Sequence, residues 1–88
     1  MAKPSIGRVV RYVLTVQDVV EMNEWCGAYL NNYSEGDEVT AVVVRVFDQT
    51  APVLCNIKCH LDGSVPDFWR TSRQEGTVPG TWKWPQRD

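Results

Sequence analysis

Eighty-eight residues, residues 1–88, make a single domain, and a chain this short buries only about 60–65% of its unfolded surface. The core must therefore be thin, and four Trp, three Tyr and two Phe are expected to fill much of it. The net charge of −2 argues against a partner such as a long nucleic acid, because an acidic surface repels a polyanion.

Charge is nevertheless segregated along the chain. Residues 1–17 carry Lys3, Arg8 and Arg11 with no acid, and residues 68–87 carry Arg70, Arg73, Lys83 and Arg87 against Glu75 alone. Residues 18–67 hold nine acids against Arg45 and Lys58. If the two basic segments meet in the fold, they make a cationic site able to hold one or two phosphates. No run of about 18 apolar residues is present, so no membrane span is expected, and the first residues lack the order of a secretory signal. A cytosolic protein is expected. Cys26, Cys55 and Cys59 are an odd count in such a setting, which argues against a disulfide framework.

In chain order, Lys3-Pro4-Ser5-Ile6-Gly7 reads as a leader with a turn. Residues 8–14, Arg-Val-Val-Arg-Tyr-Val-Leu, are rich in β-branched and aromatic residues, and strand alternation puts Arg8, Val10, Tyr12 and Leu14 on one face. Thr15 with Asp18 three residues on resembles a capping box, which predicts a helix. Val16, Val19, Val20, Asn23, Cys26 and Leu30 would form its buried stripe, with Asp18, Glu21 and Glu24 facing water and an end at Asn31-Asn32.

Residues 38–47 are the clearest strand and should be central; residues 53–61 should return antiparallel to it. Residues 67–72 read as a further short strand and residues 74–76 as a tight loop. Residues 79–85, Pro-Gly-Thr-Trp-Lys-Trp-Pro, read as a stiff edge strand, with Trp82 and Trp84 on one face and Thr81 and Lys83 on the other. The expected fold is α+β: a small curved antiparallel sheet or partial barrel of about four to five strands with one helix.

Residues with metal-binding or catalytic potential do not assemble into a site on this reading. On one strand Cys55 and Cys59 lie about 13 Å apart while His60 points the other way, so a shared metal ion is not expected. His60 is the only histidine, and no nucleophile motif or glycine-rich phosphate loop accompanies it. The chain is therefore read as a non-enzymatic binding protein without a cofactor. Phosphate would be met by Arg8 and Lys83 with the Thr81 hydroxyl, and Tyr12, Trp82 or Trp84 would stack on a planar ring. Arg11 and Ser5 stand behind these.

Pro4-Ser5-Ile6-Gly7-Arg8-Val9-Val10-Arg11-Tyr12 at one end and Pro79-Gly80-Thr81-Trp82-Lys83-Trp84-Pro85 at the other resemble a widespread family of small tailed-phage proteins. Gln17-Asp18-Val19, Glu35-Gly36-Asp37, Val44-Arg45-Val46-Phe47, and Leu61-Asp62-Gly63 ahead of Trp69 resemble the family's middle. The chain departs from it at Arg11 and Lys83, where relatives often carry His. The resemblance implies a counter-defence protein of the host cytoplasm, an anti-CBASS sponge that sequesters a cyclic nucleotide signal without turnover. A domain too small to enclose a cyclic dinucleotide alone would then act as a homo-oligomer, with ligand between subunits. The alternative is a small phage interaction or assembly protein that uses the Trp-Lys-Trp strand as a protein interface.

Overall fold

The computed structural model describes residues 4–26, 32–47, 53–62 and 67–85, with the backbone only of Cys26. The elements run β1 (Val9–Val13), α1 (Val16–Cys26), β2 (Glu38–Val46), β3 (Cys55–His60), β4 (Phe68–Arg73) and β5 (Trp82–Lys83). The strands form one curled antiparallel sheet, a half-barrel, in the order β4-β3-β2-β1-β5. The α+β class is as expected, and β2 lies in the middle of the sheet, as its β-branched run predicts.

Alternation decides which side chains fill the curl. Val10, Tyr12 and Leu14 follow β1, Val39, Ala41 and Val43 lie on β2, and Cys55, Ile57 and Cys59 lie on β3; all are buried and belong to one core with Phe68 and Trp82. His60 alternates outward and pairs with Asp67 Oδ1 at 2.9 Å. Burial, and after it the charge of Asp18, pushes the Cys59 thiol up to about 12. A thiol kept protonated in this way reacts slowly, because the thiolate is the nucleophile. Iodoacetamide at about pH 8 is therefore expected to spare Cys59 in the native protein and to label it after denaturation, read by peptide mass mapping. Native labelling at the denatured rate would show that β3 opens freely.

The helix starts as the sequence predicts. Asp18 N–H donates to Thr15 Oγ1 at 2.9 Å, and Thr15 N–H donates to Asp18 Oδ2 at 2.8 Å, a reciprocal cap with Asp where Glu is usual. The predicted buried stripe holds at Val19, which packs against the core, and fails at three other positions. Val16 and Val20 are 57% and 45% exposed, and Asn23 is exposed, whereas Met22 and Asp18 are buried. The reason is chemical: the cap ties Asp18 inward, where it meets a tyrosine and an arginine, so the helix turns that side to the core. Leu30, Asn31 and the turn expected at residues 48–52 lie outside the described residues.

Residues 74–76 do more than form a loop. Trp82 N–H donates to Gln74 O at 3.1 Å, Gly76 N–H donates to Trp82 O at 2.8 Å, and Glu75 forms a parallel bridge with Trp82. The strip that leaves β4 thus pairs with the free side of β5, and one end of the half-barrel closes.

Candidate functional site

The two basic segments meet. β1 and β5 pair antiparallel with Arg11 opposite Lys83 and Tyr12 opposite Trp82. Val13 N–H donates to Thr81 O at 3.0 Å and Gly80 N–H to Val13 O at 2.8 Å, which continues the ladder past the strand ends. Gly80 sits at φ +91°, a left-handed turn position where a side chain is strained.

The pairing divides the nominated residues between two faces. Tyr12 and Trp82 are fully buried on the inner face. Trp84 follows on the same side, half-buried against the core, with its ring centroid 5.3 Å from that of Trp82 and the planes at 86°. The Arg8 guanidinium lies over Trp84, 5.1 Å from the ring centroid, and Arg8 is itself exposed. On the outer face, Arg11 is exposed and Lys83 forms an ion pair with Glu38. Thr81 is buried, and its hydroxyl donates to Val78 O at 2.6 Å, so its proton is committed to the turn. Ser5 is exposed, and its carbonyl accepts from Arg8 N–H at 3.1 Å. Arg8, Tyr12, Trp82 and Trp84 therefore come together; Arg11 and Lys83 lie across the sheet from them.

Behind this group lies a polar network that the sequence reading did not nominate. Tyr12 hydroxyl donates to Asp18 Oδ2 at 2.6 Å, Arg70 Nε–H donates to Asp18 Oδ1 at 2.6 Å, and Arg70 also pairs with Glu21. Arg73 Nε–H donates to Tyr12 hydroxyl at 3.2 Å. Burial alone would raise the Asp18 pKa, but hydrogen bonds from Tyr12 and Thr15 N–H and the charge of Arg70 hold it below the usual carboxylate value. Burial, then the hydrogen bond to Asp18, pushes the Tyr12 phenol up. Tyr12 is therefore a neutral donor, anchored rather than poised to react.

A β-bulge brings both arginines inward. Arg70 pairs with Ile57 and Arg73 with Cys55, so Asn56 faces both Thr71 and Ser72. Asn56 Oδ1 accepts from Thr71 Oγ1 at 2.8 Å and from Ser72 N–H at 3.0 Å, and Ser72 takes φ +58°. Residues three apart on a regular strand face opposite ways; the extra residue here turns Arg70 and Arg73 to one side.

No family model, curated protein or solved structure matches the chain. Among the described residues, no helix is long and apolar enough to cross a membrane.

Proposed function

We propose that this protein binds a phosphate-bearing planar ligand, a nucleotide, on the platform made by Arg8 and Trp84. The observation that carries the reading is the strand pairing that lays the exposed Arg8 guanidinium over the half-buried Trp84 ring. Among the described residues Arg8 has no carboxylate partner, so its charge is available to an anion. With the exposed Arg8 side chain swung from the ring onto the phosphate, the half-buried Trp84 ring can stack on a base, which is worth roughly 1–3 kcal/mol. The buried Tyr12 and Trp82 hold the platform from behind instead of stacking on the ligand themselves.

The narrower form of the reading rests on the resemblance to small phage proteins: a cyclic dinucleotide held between copies of a homo-oligomer and sequestered, without turnover, as counter-defence. The rival expectation, strand addition at the Trp-Lys-Trp segment, meets an edge already paired at Trp82 by residues 74–76.

Arg8→Ala is expected to abolish ligand binding while leaving the melting temperature within about 4 °C, because the side chain is exposed and surface changes cost little. Native mass spectrometry with a panel of linear and cyclic nucleotides checks this. Whole-ligand mass shifts on wild type, lost in Arg8→Ala and Trp84→Ala, support the reading. Wild-type protein that takes up no nucleotide overturns it.

A further inference from the structure

Arg70 and Arg73 face the same interior but are partnered in opposite ways. Arg70 is saturated with acids, taking Asp18 through Nε and pairing with Glu21. Arg73 is half-buried, and among the described residues no carboxylate pairs with it. Its Nε–H is held by the Tyr12 hydroxyl at 3.2 Å, and its guanidinium lies 5.9 Å from the centroid of the Tyr12 ring. Its backbone is fixed as well, since Trp82 Nε1–H donates to Arg73 O at 3.1 Å.

The direction of each bond matters. The Asp18 carboxylate is held in its ionised form and only accepts, so the Tyr12 hydroxyl must donate to it at 2.6 Å. That leaves a lone pair of the Tyr12 oxygen facing Arg73 Nε–H. The rear of the guanidinium is thereby fixed in orientation. Its two terminal nitrogens carry no hydrogen bond to any described residue, and among the described residues no fully buried side-chain nitrogen lacks a partner, so both nitrogens keep some access to solvent. A guanidinium held from behind and open in front has lost its rotamer freedom before any ligand arrives, and its planar fork matches an oxyanion.

We propose that Arg73 is the anchor of an oxyanion site, taking a phosphate or phosphate monoester through its terminal nitrogens, with Tyr12 and Asp18 positioning it. The site uses neither Arg8 nor Trp84 and stands whether or not they hold a nucleotide. The bulge at Thr71 and Ser72 is the device that aims it, since a regular strand would send Arg73 to the outer face.

Inorganic phosphate is the probe, followed through the arginine Nε–Hε signals of the labelled full chain by NMR. The Arg73 signal is expected to shift saturably, while Arg11 and Arg45 show only the small linear drift of bulk screening. Arg73→Lys keeps the charge and loses the fork; phosphate affinity should fall about tenfold or more, the worth of one charge-assisted hydrogen bond. Arg8→Ala should leave the Arg73 response intact. A linear response of Arg73 equal to that of Arg11, or loss of the response in a folded Arg8→Ala, overturns the site. If Arg73→Lys does not fold, the wild-type titration decides by itself.

Discussion

Asp18→Ala is expected to leave the protein largely unfolded at room temperature. The carboxylate is 1% exposed and accepts from the Tyr12 hydroxyl, Thr15 N–H and Arg70 Nε–H. Truncating it removes the helix cap and strands a largely buried guanidinium and a buried phenol. Removing one partner of a buried ion pair costs about 3–5 kcal/mol, and a lost helix cap adds about 1 kcal/mol. A small domain has about 5–15 kcal/mol in total, with the shortest chains at the low end. In a urea melt the midpoint should fall by about 2 M or more, if wild type has a slope of about 1–3 kcal/mol per M. Asp18→Asn keeps the shape and one acceptor, so it should lie between the two. An Asp18→Ala melt that overlays wild type would show that the network is not a keystone of the fold.

The same carboxylate sets an acid limit. Its folded pKa lies below the ordinary 3.8, so the stability it confers is fully present above that value. The contribution is lost as pH falls from about 3.8 through the folded pKa, and Asp18→Asn should lack this part of the acid transition. Wild type and Asp18→Asn losing stability in parallel below that pH would assign acid unfolding to other carboxylates.

How far the fold can be read in advance depends on whether a residue obeys its local pattern. β2 follows strand alternation without exception from Val39 to Val43, and the Thr15 and Asp18 cap is a local signal, so both are legible. The helix face is not. Val16 and Val20 look like core by spacing, and burial of Asp18 is acceptable because Tyr12 and Thr15 donate to it and the distant Arg70, on β4, supplies the opposite charge. Tertiary pairing across 52 positions has no local trace. The bulge hides Arg73 in the same way, because period-two reading sends it outward. Of the candidate site, the charge of the two segments sets their meeting only as a condition, which the pairing of β1 with β5 meets; the seating of Arg8 over Trp84 has no signal in the sequence. The split of Arg11 and Lys83 onto the other face follows from the same alternation and was legible for Lys83 against Trp82.

Trp82→Ala should come close to Asp18→Ala in severity, and for a different reason. The indole is 1% exposed and lies between Tyr12, opposite it on β1, and Trp84 at 5.3 Å. Its Nε1–H bonds Arg73 O, while its backbone carries both hydrogen bonds to residues 74–76, so one residue ties β5 to β1 and to the strip leaving β4. Truncation leaves a cavity in a thin core and removes the Nε1 bond to Arg73 O, a cost of about 3–5 kcal/mol. Trp82→Phe keeps much of the volume and loses the Nε1 bond, so about 1–3 kcal/mol is expected. Trp84→Ala is the informative contrast: its ring is only half-buried, so stability should fall less while the Arg8 platform is lost. The ranking Trp82→Ala, then Trp82→Phe and Trp84→Ala, is read from urea midpoints. A Trp84→Ala midpoint below that of Trp82→Ala would reverse the division of labour between the two indoles, making Trp84 the closure of the barrel and leaving Arg8 without an exposed ring to serve.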